Sequence, residues 1–197
     1  ENDPLCFGAS NGFIEYNVSG GVTPYLYSLN SNSTQTDNIF YNLSIGNYNA
    51  VIQDLNGCEV TLSSILNQPD DLVISEFIDP VSCFGFNDGV ISTTISGGTT
   101  PYNYNWTGDN PITGNGTAII SVLASGNYQI TVTDNNNCQD SAAFFLPENS
   151  SISLSSTISD YNGFNVRCYG GDDAWVACIA SGGMLPYTYE WVDVSTN

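Results

Sequence analysis

Short runs of alternating apolar and polar residues recur along the chain, each bounded by glycine, proline or asparagine. In Tyr128-Gln129-Ile130-Thr131-Val132-Thr133, residues Tyr128, Ile130 and Val132 fall on one face at the two-residue period of a strand. Tyr102, Tyr104 and Trp106 do the same in a second run. Across the middle of the chain the pattern predicts strands over 72–77, 89–95, 102–106, 119–122, 128–133 and 141–146. Each is too short for a helix, and no Ala/Leu/Glu/Lys-rich stretch competes. Six or seven short strands in about 80 residues, with turn signals between them, describe an immunoglobulin-like sandwich. The fold class expected is all-β, with such sandwiches in tandem.

The tandem order follows from a repeat. Cys6-Phe7-Gly8 recurs as Cys83-Phe84-Gly85 and Cys168-Tyr169-Gly170. Thirteen residues after each cysteine comes Ser-Gly-Gly, starting at Ser19, Ser96 and Ser181. Pro24-Tyr25-Leu26-Tyr27, Pro101-Tyr102-Asn103-Tyr104 and Pro186-Tyr187-Thr188-Tyr189 follow, and then Leu29, Trp106 and Trp191. Two copies continue through Leu43-Ser44-Ile45-Gly46-Asn47-Tyr48 and Leu123-Ala124-Ser125-Gly126-Asn127-Tyr128 to Asp54…Cys58 and Asp134…Cys138. The offset between these copies is 77 at the first cysteine (83 − 6) and 80 at the Gly-Asn-Tyr block (126 − 46). Length changes therefore fall between the strand blocks, where a folded module tolerates them. The modules expected are 1–69, 70–147 and 148–197, the first short of its N-terminal part and the third of its C-terminal part. On this reading the natural termini, and any signal or anchor, lie elsewhere.

Charge then narrows function. Twenty acidic residues face a single basic one, Arg167, for a net charge of -19. Nucleic acid is excluded as a partner, because nothing cationic can displace counterions from phosphates. An anionic membrane surface is excluded on the same ground. No run approaches the roughly 20 apolar residues of a membrane span, so no membrane insertion of this segment is expected. Histidine and lysine are both missing, which removes Ser-His-Asp, Cys-His and Schiff-base chemistry. Carboxylates such as Asp70, Asp71, Asp172 and Asp173 sit in turns or linkers, where capping is their ordinary work. No enzyme activity and no catalytic residue are expected.

The motif set Cys-Phe-Gly, Ser-Gly-Gly-x-x-Pro-Tyr-x-Tyr-x-Trp, Leu-x-x-Gly-x-Tyr and Asp-x-Asn-x-Cys resembles the SprB-type repeat. That repeat occurs in very large gliding-motility and cell-surface adhesins of Bacteroidota. The resemblance implies an extracellular, filamentous surface protein acting in adhesion or gliding motility and exported by the type IX secretion machinery. Its partners would be neighbouring repeats, that machinery and surface polysaccharide. The alternative is a carbohydrate- or calcium-binding accessory module of a secreted enzyme. Three departures from the pattern are Leu29 in the Trp position, Ala174 where the other copies carry Gly12 and Gly89, and the added Cys178 of the third copy.

Each complete copy holds one cysteine near its start and one after its Asp-x-Asn turn. The pairing expected is Cys6–Cys58 and Cys83–Cys138, within modules, provided both sites lie at the same end of the sandwich. Each bridge would contribute about 4 kcal/mol in the chain-entropy model. Cys168 would find its partner beyond Asn197. Cys178 is left paired downstream, bonded to Cys168, or free. No Cys-x-x-Cys occurs, so no zinc site is expected. No cofactor is expected, calcium being the one candidate: Asp54, Asn56, Asp134 and Asn136 offer oxygens at alternate positions, but no distal Glu completes a loop. Asp140-Ser141-Ala142 resembles the O-glycosylation motif of Bacteroidota, with Ser141 as acceptor. Tyr102, Tyr104 and Trp106 read as core first and as a sugar-stacking platform second.

Overall fold

A computed structural model describes residues 1–192, which form thirteen strands and, among these residues, no helix. The first module contains β1 (Gly12–Glu15), β2 (Leu26–Leu29), β3 (Ile39–Leu43), β4 (Gly46–Gln53) and β5 (Glu59–Leu66). The second contains β6 (Val73–Asp79), β7 (Gly89–Ser96), β8 (Asn103–Gly108), β9 (Ile119–Leu123), β10 (Gly126–Thr133) and β11 (Gln139–Leu146). In the third copy, β12 (Ser153–Ile158) pairs with β13 (Val176–Ser181) as β6 pairs with β7.

The second module is a two-layer antiparallel sandwich. One sheet has the order β6-β7-β9 and the other β11-β10-β8. This is the division of strands found in immunoglobulin-like folds, and the chain is a tandem array of such modules. Tyr128, Ile130 and Val132 of β10 are buried, while Gln129 between them and Asn127 before them are exposed. They meet Ile91, Ile120, Leu123 and Leu146 from the facing layer and sheet edge. Trp106 on β8 is 2% exposed and packs 6.0 Å from Phe144. Its indole N–H donates to the Thr117 carbonyl at 2.9 Å, so burial leaves no donor unpaired. Tyr102 and Tyr104 pack against the same core, which makes this aromatic stripe core and not a platform.

The Leu-x-x-Gly-x-Tyr block has a physical reason. The Tyr128 hydroxyl donates to the Ala124 carbonyl at 2.8 Å, and that of Tyr48 to the Ser44 carbonyl at 2.9 Å. The Tyr128 ring is buried and the Tyr48 ring half-buried along its strand, while each hydroxyl pins the preceding corner, a tyrosine corner in immunoglobulin terms. Tyr128→Phe leaves the ring but strands that carbonyl. Its denaturation midpoint should fall by the equivalent of about 1 kcal/mol, with the fold unchanged by circular dichroism.

The first module repeats the plan with β1-β3 in one sheet and β2-β4-β5 in the other. Its core uses Ile14, Tyr16, Tyr27, Leu29, Ala50, Ile52 and Leu66. Leu29 fills the Trp position because Tyr16 enters from the facing sheet, where the second module has the small Thr93. The Tyr16 hydroxyl reaches Ser64 Oγ at 3.2 Å, the position held by Phe144 in the second module. Large and small side chains have exchanged places across one core, which conserves volume.

In the third copy, Ile152, Leu154, Cys178, Tyr187, Tyr189 and Trp191 line an apolar cleft. They correspond to Leu72, Ile74, Thr93, Tyr102, Tyr104 and Trp106, so the cleft is the inner face of a sandwich and not a ligand pocket.

Candidate functional site at the module junction

The strand directions place the two cysteine motifs at opposite ends of a module. From the Cys-Phe-Gly loop the chain runs along β1, back along β2, across through residues 30–38, back along β3 and forward along β4. Five traverses are an odd number, so Cys58 ends at the far end from Cys6. The eight residues of β4 alone span about 26 Å. The within-module pairing therefore fails. Cys6 is bonded instead to Cys138, 132 residues away, with Cα atoms 5.7 Å apart. Cys58 and Cys83 are exposed free thiols, as is Cys168, and Cys178 is a free, half-buried one.

The bridge joins the modules end to end. After β5, residues 67–72 carry the chain directly onto the Gly-Gly turn of the second module. Gly98 N–H donates to the Asp70 carbonyl at 2.9 Å. A Cβ on Gly97 would sit 1.7 Å from the Asp71 carbonyl oxygen, and the backbone there has φ +73°. Only glycine permits both the positive φ and this approach, which accounts for the double glycine of the motif.

The hairpin bearing Cys138 is built by its aspartate. Asp134 Oδ1 accepts the N–H groups of Asn136 and Cys138, each at 2.8 Å, and Oδ2 accepts that of Thr99 at 2.8 Å. Asp54 repeats this with Asn56 and Cys58 at 2.9 Å and Val22 at 3.0 Å. Both carboxylates thus face N–H donors, an arrangement that caps a turn. Asn136 Nδ2 donates across the junction to the Leu5 carbonyl at 2.9 Å, and Asn56 lies exposed. Asp54, Asn56, Asp134 and Asn136 therefore form two separate turns at the same end of successive modules. Among the described residues no group of three or more His, Cys, Asp or Glu is placed to hold a metal ion. Ser141 is exposed on β11, within reach of a modifying enzyme.

Hydrogen bonding sets the acid behaviour of Asp54, Asp88 and Asp109. The Cys58 N–H, followed by those of Val22 and Asn56, holds the Asp54 carboxyl below its ordinary value of 3.8 against a smaller opposing effect of desolvation. Asp88 is lowered by the Ser82 hydroxyl and N–H, and Asp109 by the Asn127 backbone and side-chain amides. A carboxylate whose folded pKa is depressed stabilises the fold above its unfolded pKa and loses that contribution as pH falls through the folded one. The Asn56 and Cys58 amide resonances should titrate with a midpoint below that ordinary value. A midpoint at or above 3.8 would show the cap to be absent in solution.

The sole basic residue is spent locally: Arg167 pairs with Asp173 at 3.4 Å and stacks over Tyr161 at 5.0 Å.

The family model described as the SprB repeat matches residues 2–34, 75–111 and 164–196, just over half of the chain. The chain belongs to the SprB repeat family and is an array of its structural modules. Each matched segment carries the Cys-Phe-Gly loop (Cys168-Tyr169-Gly170 in the third), the Gly-Gly turn and the Pro-Tyr-x-Tyr sequence; the hairpin cysteines Cys58 and Cys138 lie outside them. A comparison with curated proteins finds no match. Among solved structures, a C-terminal 282-residue fragment of intimin, in complex with the intimin-binding domain of its translocated receptor, aligns with a TM-score of 0.40 and 15% identity, over 66% of this chain and 53% of that one. The amphioxus IgVJ-C2 molecule gives 0.34 and 12%, over 74% and 98%. Domains 4 and 5 of the S-layer protein SbsC give 0.27 and 12%, over 68% and 78%. The chain spans about half the length of the intimin fragment.

Proposed function

We propose that this chain is a stretch of a cell-surface adhesin or filament, in which the modules are links of an extracellular rod acting in surface adhesion or gliding motility. The observation that carries the reading is the covalent bridge between successive modules, Cys6 to Cys138. A bond between neighbours resists separation under pull, which an enzyme's accessory module has no need to do. Disulfides persist in oxidising, extracytoplasmic surroundings, in keeping with export by the type IX machinery that SprB-type proteins imply. The strongly acidic exterior keeps long arrays apart by self-repulsion. Catalysis has no part in this reading, and any adhesion ligand, such as a surface polysaccharide, would meet the outer faces of the sheets or the loops.

Antibodies raised to the array should label intact cells as strongly as permeabilised ones, and cells lacking the array should attach to surfaces or glide less. Labelling only after permeabilisation would overturn the location. Unchanged attachment and gliding would overturn the role.

A further inference from the structure

We propose that the Cys-Phe-Gly loop and the Asp-x-Asn-x-Cys hairpin are the two halves of a repeating clasp, in which the first cysteine of each module bonds the second cysteine of the module that follows. Cys83 then takes the hairpin cysteine of a complete third module, and Cys58 takes the Cys-Phe-Gly cysteine of a module that precedes the first.

Both halves recur in the same conformation, whether joined or not. In the loop, Gly8 N–H donates to Gln68 Oε1 at 3.0 Å, and Gly85 N–H donates to Glu148 Oε2 at 2.8 Å. Leu5 N–H bonds Asn11 as Ser82 N–H bonds Asp88, each at 3.0 Å. The turn bond from Ala9 N–H to the Cys6 carbonyl is matched by Phe86 N–H to the Cys83 carbonyl, both 3.1 Å. The hairpins match through the Asp54 and Asp134 caps described above. The Cys83 loop and the Cys58 hairpin, both unbonded, thus hold the same conformation as the bonded Cys6 loop and Cys138 hairpin, and Cys83 stands where Cys6 stands.

The linkers match as well. Gly183 N–H donates to the Ser150 carbonyl at 2.7 Å, as Gly98 does to Asp70. The crevice at the first junction includes Cys6, Phe7, Asp71, Leu72, Gly98 and Cys138. At the second junction, Cys83, Phe84, Ser151, Ile152 and Gly183 line the corresponding space.

Burial registers what the clasp covers. Asp134 is 2% exposed beneath the first module, while Asp54 is half-buried; Cys138 is half-buried and Cys58 exposed. A Cβ on Gly20 would meet nothing within 4 Å, whereas one on its counterpart Gly97 would strike the linker. The top of the first module is therefore the same docking surface as the top of the second, presented to solvent. Cys178 has no place in the clasp: it occupies the inward Thr93 position on β13 and stays a thiol.

Closure removes one proton and one electron from each thiol and forms one S–S bond. The electrons pass by thiol–disulfide exchange to the disulfide of an oxidising thiol–disulfide oxidoreductase, which leaves as a dithiol.

The test is cysteine mapping of the natural array, extending through a complete third module, blocked with maleimide before reduction and cut with chymotrypsin, since a single Arg defeats trypsin. Peptides joining Cys83 to the third hairpin cysteine, and Cys6 to Cys138, are expected. In the 197-residue chain by itself, Cys58 and Cys83 should be blocked before reduction and Cys6 and Cys138 only after it. Cys83→Ser in the extended array should expose the third hairpin cysteine alone. A Cys83 joined to Cys58 or Cys138, or blocked before reduction in the extended array, would overturn the clasp.

Discussion

Replacing both Cys6 and Cys138 by Ser should uncouple the two modules while leaving each folded. The bridge closes a segment with a sequence separation of 132, and in the chain-entropy model such a loop contributes about 5 kcal/mol. The two hydrophobic cores share no residue, so each can persist without the bond. Denaturant unfolding of the bridged chain should show the cores protected together, and the double variant should show an earlier, separated transition. Small-angle scattering should at the same time report a broader range of lengths, because one covalent tie and a few junction hydrogen bonds set the angle between modules. The double variant avoids leaving a single thiol to exchange with Cys58 or Cys83. An unchanged midpoint and an unchanged scattering profile would show that noncovalent contact alone fixes the junction.

That bond is also where sequence reading failed. The strands of the second module were legible because burial on one face enforces the two-residue period: 89–95 was expected and Gly89–Ser96 is found, 128–133 was expected and Gly126–Thr133 is found. Trp106, Tyr128, Ile130 and Val132 could be named as core from that period alone. The cysteine partners could not. A repeat suggests that motifs within one copy belong together, but pairing depends on how many times the chain crosses the sandwich. The deciding crossing is residues 30–38, an irregular segment held by Gln35 Nε2 to the Asp37 and Ile39 carbonyls, and it carries no periodic signal. The aspartates were legible as turn residues. Their reach to the Gly-Gly segment, through Val22 and Thr99, was not, because those N–H groups arrive from more than thirty residues away, |i−j| being 32 and 35.

Trp106→Ala should be the most damaging single change within a module. Its side chain is 2% exposed at the centre of the second core, and truncating a buried aromatic costs about 3–5 kcal/mol through lost burial and an unfilled cavity. Thermal unfolding should show the second module melting well below the first, with the Cys6–Cys138 bond intact. The exchange of large and small residues between copies makes the test more discriminating. The first module tolerates Leu29 because Tyr16 fills the space and Ser64 makes room for it. Trp106→Leu alone copies one part of that solution and should still cost about 2 kcal/mol or more from the residual cavity. Adding Thr93→Tyr alone should worsen it, because the new ring meets Phe144. Adding Thr93→Tyr and Phe144→Ser together should restore part of the loss, with a coupling energy of about 1 kcal/mol or more among the three sites. Strict additivity would mean that the two cores are packed independently of the exchange. Recovery would mean that one backbone accepts either arrangement, and that Leu29 is half of a paired solution whose other half is Tyr16.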